Sequence, residues 1–225
     1  LCGAGASSFI PPLVLAAATA AVYLNSFQGK FLFDDIALIV ENPAVHRLWP
    51  IWGGGDGPRP LTALTFALNF VIGGSSPWGF HLINLTIHVG AALCLYGIIR
   101  RTLMRPPLGE RYGRAAPLLT LAAALLWAVH PLQTQAVTYI WQRSESLMGL
   151  LYLFTLYAAI RGIGGPPGWR VAAVMACAAA MCAKSVAVTA PLLVFLYDRA
   201  FLSGSFREAW RRSRWMYAGL AATWG

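Results

Sequence analysis

The amino-acid sequence predicts an all-α, polytopic helical membrane protein, and three observations support this: its composition, the length of its apolar segments and the distribution of its charges. Of its 225 residues, 58% are hydrophobic and only 11% are charged, whereas soluble domains carry charge at about 25% of their positions. These values exclude a water-soluble enzyme and a disordered chain. We predict a single transmembrane domain over residues 1–225, forming the N-terminal part of a longer protein.

The predicted helices follow from apolar segments close to the length of a full span, which is roughly 20 residues. About six full transmembrane helices and the start of a seventh are expected: 7–27, 80–99, 115–129, 146–160, two short helices within 169–197, and a segment beginning at 215. Residues 28–79 form a long first extracytoplasmic loop. Within this loop, residues 60–72 predict a helix that is too short to span and that lies at the membrane interface.

Loop charge decides whether residues 169–197 form one long helix or a hairpin. With a hairpin, the loops 100–114, 161–170 and 198–214 share one side and hold 12 of the 17 Lys and Arg residues. Such residues accumulate in cytoplasmic loops. We therefore predict a hairpin and a cytoplasmic amino terminus, and we attribute the net charge of +9 to membrane topology rather than to a nucleic-acid partner.

The unusual polar residues all fall on the opposite, extracytoplasmic side of this topology. They are Asp34, Asp35, Arg59, His81, Asn84, His88, His130, Arg143, Glu145 and Lys184. Ionisable groups at membrane depth are costly, which makes them functional candidates by default. Their convergence on one side predicts a site there.

Plainer interpretations of these residues stay open at this point. The Asp pair is also typical of a helix cap or a solvated loop, and Lys184 is placed to snorkel to the interface. Because His81, Asn84 and His88 share one helical face, they are equally suited to hydrogen bonds between helices. Two turns, about 10 Å, separate the two histidines, so we predict no metal site, while a divalent cation near the Asp pair is left open.

Six motifs in a fixed order resemble the membrane half of one glycosyltransferase family. They are FLFDD, ENP, RPLTALTFALNF, GFHLINLTIH, AVHPLQTQAVTYIWQRSESL and AKSVAVTAPLLVFLYD, and together they run from Phe31 to Asp198. The family is that of the GT-C enzymes related to the transmembrane O-mannosyltransferases with tetratricopeptide repeats, and their bacterial relatives. The resemblance implies a GT-C-like fold and a sugar donor linked to polyprenyl or dolichyl phosphate.

The resemblance also implies roles for particular residues. The family's catalytic base in the first extracytoplasmic loop matches Asp34 or Asp35, and its HP-containing motif matches His130, Pro131, Gln133, Val137, Ile140, Arg143 and Glu145. A later Lys-Glu pair of the family is Lys184-Ser185 here, so the glutamate is missing.

Sugar transfer from a lipid phosphate needs one carboxylate to deprotonate the acceptor hydroxyl and cations to hold the phosphate. We expect Asp35 to be the inward base, because it adjoins the apolar run 36–40, with Asp34 orienting the loop. The expected substrate-binding residues are Arg59, His81, His130, Arg143, Glu145 and Lys184.

The expected location is the bacterial inner membrane, with the site facing the periplasm and with membrane lipids and the lipid-linked donor as partners. The alternative is a non-catalytic integral subunit of a larger membrane complex, which the short chain and Ser185 favour. Clustering of the charges at one face, without internal repeats, disfavours a transporter.

Overall fold

The computed structural model describes residues 9–48 and 60–224, and every regular element within them is helical. The α-helices are α1 (Ile10–Val22), α2 (Pro60–Gly73), α3 (Pro77–Leu103), α4 (Leu108–Tyr112), α5 (Ala116–Ala128), α6 (Thr134–Thr138), α7 (Arg143–Gly162), α8 (Gly168–Ala183), α9 (Ala190–Asp198) and α10 (Phe206–Ala222). Short 3₁₀ or π-helical segments cover Leu24–Gln28, Ile36–Val40, Pro43–His46, Pro131–Gln133, Ile140–Gln142, Ser185–Thr189 and Arg199–Ser203. The predicted all-α class is confirmed.

Three helical segments of the described chain are long and apolar enough to cross a membrane: Ile10–Gln28, Pro77–Leu103 and Ser185–Ser203. A fourth results if Ala116–Ala128 and Pro131–Thr138, which meet at a 49° bend, are taken together. These helices support an integral membrane protein. The total of six full spans stays a prediction.

The predicted helices are present, and their bounds differ where charged residues were expected to limit them, as in α10, which begins at Phe206 and not at 215. Helix α2 confirms a short helix at 60–72, and α5 agrees with 115–129 to within a residue at each end. Helix α3 continues through Arg100 and Arg101, since long basic side chains reach polar surroundings from the end of a helix. Helix α7 begins at Arg143 rather than at 146, so this arginine belongs to a helix and not to a loop.

Proline and glycine explain several of these bounds. Proline occupies the first turn of α1, α3, α5 and α9, where its missing N–H costs no hydrogen bond. After α2 and α7 the chain turns through Gly74 and Gly164, whose φ angles are +61° and +85°, a region that favours glycine.

Helices α3 and α7 run side by side in the same direction and approach closely. A Cβ atom at Gly90 would lie 3.2 Å from the Leu150 side chain, and one at Gly97 would lie 2.5 Å from the Tyr157 ring. The two helices therefore pack through positions at which α3 has no side chain.

Helices α1 and α5 both pack against α3, and their carboxyl ends meet its first half. The Tyr23 hydroxyl and His88 Nε2 both hydrogen-bond to the carbonyl oxygen of Ala128, at 3.2 and 2.8 Å. The carboxyl ends of α1 and α5 therefore lie beside the first half of α3.

The chain breaks at Lys184, whose backbone is extended with φ −160° and ψ 140°. Helix α10 shows that the segments on either side run in opposite directions. Gly219 and Thr223 of α10 lie beside Val174 and Cys177 of α8, so these two helices run in the same direction. Tyr217 and Trp224 of α10 lie beside Asp198 and Val188 of the segment after the break, so that segment runs in the opposite direction. The predicted hairpin in 169–197 is confirmed.

The bundle has two ends of different character. The site end is the end at which α1, α5 and α8 finish and α3, α7 and α9 begin. The basic end is formed by the three Arg-containing segments 100–114, 161–170 and 198–214. Thr102 Oγ1 and Tyr197 Oη hydrogen-bond at 2.5 Å, and a Cβ atom at Gly164 would lie 2.5 Å from the Arg212 guanidinium group. The structure thus brings together the three loops that the charge pattern assigns to one side.

Candidate active site at one end of the bundle

The acidic loop at the site end is built around the carboxylate of Asp35. Its Oδ2 accepts a hydrogen bond from the Leu32 N–H at 3.0 Å, which closes a tight turn, and its Oδ1 accepts one from the Trp141 N–H at 2.8 Å. Asp35 is 1% exposed. The pKa of its carboxyl group is raised, because the effect of burial is larger than the opposing effect of the two N–H donors. Asp35 is therefore the inward member of the pair: one of its oxygen atoms closes the turn of the loop, and the other holds the loop to the chain just before α7.

Asp34 occupies the opposite position, with its side chain in solvent. Its backbone N–H donates to the Tyr139 hydroxyl at 3.2 Å. The preceding residue, Phe33, is 83% exposed and has a φ of +48°, which costs a residue with a Cβ atom about 1–2 kcal/mol. The turn closed by Asp35 maintains this conformation and presents Asp34 beside Tyr139.

Replacing Asp35 with asparagine tests this anchoring role. An asparagine NH₂ group must face one of the two N–H donors, because the backbone fixes both, so we expect a loss of about 1–3 kcal/mol in the free energy of unfolding. Thermal unfolding of the purified full-length protein measures it. Glu41→Gln, an exposed acidic residue of the same loop, is the matched control and should change stability by less than about 0.5 kcal/mol.

Arg143 is the largest fully buried side chain of the described residues, with 0% exposure. Its Nε donates to Asn84 Oδ1 at 2.7 Å and one terminal nitrogen to Asn69 Oδ1 at 2.9 Å. The carbonyl oxygens of Phe80 and Thr65 accept at 3.0 and 3.2 Å. Neutral oxygen atoms from α2 and α3 thus surround the guanidinium group.

No carboxylate in the described parts of the chain pairs with this arginine. Its guanidinium carbon lies 4.5 Å from the centre of the Phe66 ring, at the distance of a cation–π contact. Arg143 therefore joins α2, α3 and α7. A direct contact with a donor phosphate stays a prediction and requires some of these hydrogen bonds to be exchanged.

The predicted histidines have three different environments. His88 hydrogen-bonds to α5, as the interhelical interpretation expects. His81 is 2% exposed, lies against Gly29, and neither ring nitrogen has a hydrogen-bond partner among the described residues. His130 is exposed, and its Nδ1 accepts from the Leu132 N–H at 3.2 Å, which begins the next helical turn.

Lys184 and Glu145 form an ion pair between the break after α8 and the first turn of α7. The lysine therefore has a carboxylate partner, although residue 185 is serine. Both side chains are about one-third exposed, at 32% and 37%. Glu145 also lines a cavity of about 410 Å³, together with His88, Trp127, Gln133, Gln135 and Gln142. Among the expected substrate-binding residues that the structure describes, Glu145 alone lines this cavity, and Lys184 contacts Glu145 without being part of the lining.

The structure thus brings Asp34, Asp35, Glu145 and Lys184 to the site end. Arg143 lies at the same end and is buried between the helices. Arg59 lies outside the described residues. Within the described residues, no three His, Cys, Asp or Glu side chains are grouped as a metal site requires.

Two site residues were missed by sequence reasoning. Asn69 is the second amide that binds Arg143, and its signal is a lone asparagine in the otherwise apolar run LTALTFALNF. Tyr139 supports the acidic loop from 105 positions away, and its pairing has no local signal.

Several curated proteins match the chain over most of its length. The protein O-mannosyl-transferase Tmtc2 of Drosophila melanogaster is 33% identical over 200 residues, which is 79% of this chain and 20% of that protein. Human TMTC4 is 29% identical over 85% of this chain and 30% of its own length, and human TMTC1 is 33% identical over 67% and 18%. The chain thus spans between a fifth and a third of the length of the first two. No family model and no solved structure matches it.

Proposed function

This chain is related to the protein O-mannosyltransferases of the TMTC group, and from that premise we propose that it transfers a sugar from a polyprenyl- or dolichyl-phosphate donor. The acceptor is a hydroxyl group on the extracytoplasmic side of the membrane. The fold proposed for the full-length protein is of the GT-C type. The site end of the bundle carries the reacting groups.

The observation that carries this proposal is the attachment of the acidic loop to the chain that leads into α7. Asp34 and Asp35 are held by Tyr139 and Trp141, and the residues that follow at once contribute Gln142 and Glu145 to the cavity wall. The segment 139–145 thereby both holds the loop that carries the Asp34 carboxylate and contributes hydrogen-bonding side chains to the cavity wall. That is the minimum needed to activate a hydroxyl group beside a bound sugar.

The reaction forms a bond between the acceptor oxygen and the sugar C1 and breaks the bond between C1 and the phosphate oxygen. The phosphate leaves as an anion and needs no proton, so one base suffices. The proton of the acceptor hydroxyl passes to that base.

We assign the base to Asp34 rather than to Asp35. Both oxygens of Asp35 already accept backbone hydrogen bonds in a buried position, and protonating either one would remove an acceptor. Asp34 is exposed, and its backbone N–H and its carboxylate both lie beside the Tyr139 hydroxyl. In the described residues no backbone N–H holds this carboxylate, so it can take a proton. Asp35 then acts as a positioning residue.

Lys184 is the proposed contact for the donor phosphate. We expect Lys184→Met to raise KM for the donor about 10-fold or more, the value of one hydrogen bond between charged groups, with a smaller effect on kcat. Steady-state transfer rates over a range of donor concentrations measure it. Lys30→Met, which removes an exposed lysine from the loop that leads to the Asp pair, is the matched control. Equal KM values for the wild type and Lys184→Met would contradict this role.

The proposed orientation places the basic end in the cytoplasm and the site end in the periplasm of a bacterial inner membrane. The positive-inside rule supports this orientation, because the basic end holds most of the Arg residues.

The alternative function is a non-catalytic subunit of a larger membrane complex.

Labelled mannose on polyprenyl phosphate, incubated with the purified full-length protein and a peptide rich in serine and threonine, separates the two functions. Transfer supports the enzyme. A protein that purifies as a stable part of a larger assembly and transfers no sugar supports the subunit.

A further inference from the structure

A second cavity, of about 530 Å³, lies toward the basic end on the surface of α3 between α1 and α7. Its floor is a stripe at helical spacing, formed by Leu93, Gly97 and Arg100 of α3 and by Met104, which directly follows α3. Residues spaced by three or four share one helix face. Eleven residues of helix extend about 16 Å, so the groove runs along the bundle from an apolar to a basic part.

The apolar part of this groove is formed by Leu93, by Pro12 of α1 and by Gly97. A Cβ atom at Gly97 would lie 2.5 Å from the Tyr157 ring, so no side chain fits there. The groove is therefore deeper at this position than along the rest of the helix. The Tyr157 ring forms the α7 side of the groove. An acyl chain fits this apolar part of the groove.

The basic part is formed by Arg100 and Arg101, both exposed. The guanidinium carbon of Arg101 lies 5.6 Å from the centre of the Tyr157 ring, which orients this side chain across the mouth of the groove. In the described residues, neither arginine lies within ion-pair distance of a carboxylate. Two positive charges without an acidic partner therefore border an apolar groove.

We propose that this groove binds one anionic phospholipid of the leaflet at the basic end. Arg100 and Arg101 bind its phosphodiester group, and one acyl chain lies over Gly97 toward Leu93. Guanidinium groups bind phosphate oxygens in a bidentate manner, and basic pockets between transmembrane helices are suited to anionic headgroups. Both the charges and the shape of the groove suit this lipid. The two arginines lie where the groove reaches the level of the headgroups, and the apolar floor continues from there toward the membrane centre.

Titration of the purified full-length protein in detergent with phosphatidylglycerol, followed by native mass spectrometry, tests the proposal. We expect one phosphatidylglycerol to bind more tightly than any further ones, and more tightly than phosphatidylcholine. The variant Arg100→Gln/Arg101→Gln should weaken this first binding about 10-fold or more. The matched control is Arg111→Gln/Arg114→Gln, which removes two exposed charges from the same basic segment without touching the groove.

A third variant separates the groove from surface charge. Leu93→Trp keeps every charge and fills the apolar part, so it should also weaken the first phosphatidylglycerol. An equal effect of the two double variants would overturn the proposal, because it would show a general attraction of the basic end. Displacement of the lipid by millimolar inorganic phosphate would likewise overturn it, in favour of a site for free phosphate.

Discussion

Replacing Arg143 with methionine is expected to destabilise the protein more than any other single change at the site end. Methionine fills part of the volume but donates no hydrogen bond, so the Oδ1 atoms of Asn69 and Asn84 lose their donor, and the carbonyl oxygens of Thr65 and Phe80 each lose one hydrogen bond. Each buried unsatisfied group costs about 1–3 kcal/mol. We expect a loss of more than about 3 kcal/mol in the free energy of unfolding.

Thermal or denaturant unfolding of the full-length protein in detergent measures this loss, with Arg211→Met as the control. Arg211 is 79% exposed and pairs only with the neighbouring Glu208, so its loss should change stability by less than about 0.5 kcal/mol. Arg143→Lys keeps the charge but cannot reproduce the planar set of donors, and it should fall between the two. If Arg143→Met unfolds like the wild type, the hydrogen bonds described for Arg143 do not hold α2, α3 and α7 together.

Replacing Asp34 with asparagine is expected to lower the rate of sugar transfer by about 100-fold or more, the usual contribution of a general base. Asparagine keeps the shape of the side chain and the backbone N–H that binds Tyr139, while it cannot accept the proton. Since Asp34 is exposed, the unfolding temperature should not change.

Comparison with Asp35→Asn distinguishes a base from an anchor. Asp34→Asn should lose activity at full stability, whereas Asp35→Asn should lose both, and part of its activity should return at lower temperature, where the loop is restored. An active Asp34→Asn protein would remove Asp34 from the chemistry and return the role of base to Asp35.

The helices could be predicted because their signals are local. The length of the apolar segments predicted the bounds of α2 and α5 to within about one residue, and the charges of the loops predicted the hairpin around Lys184. The bounds of α3 were wrong because Arg100 and Arg101 extend the helix beyond its apolar part instead of ending it.

The contacts of the site residues were harder to predict from the sequence, because they join positions that are far apart in the chain. The inward direction of Asp35 follows from its apolar neighbours, but its partner Trp141 lies 106 positions away. The four partners of Arg143 lie 59 to 78 positions away. A sequence shows that such residues are unusual, and only the packing of α2, α3 and α7 shows what they bind.

The most direct test of the account compares donors for the wild-type full-length protein, with Asp34→Asn as the inactive control. Mannose labelled on polyprenyl phosphate and mannose on a nucleotide diphosphate are each supplied with the same peptide acceptor, and labelled peptide is counted. The account predicts transfer from the lipid phosphate by the wild type alone, and none from the nucleotide. Transfer from the nucleotide, or equal label with the wild type and Asp34→Asn, would contradict it.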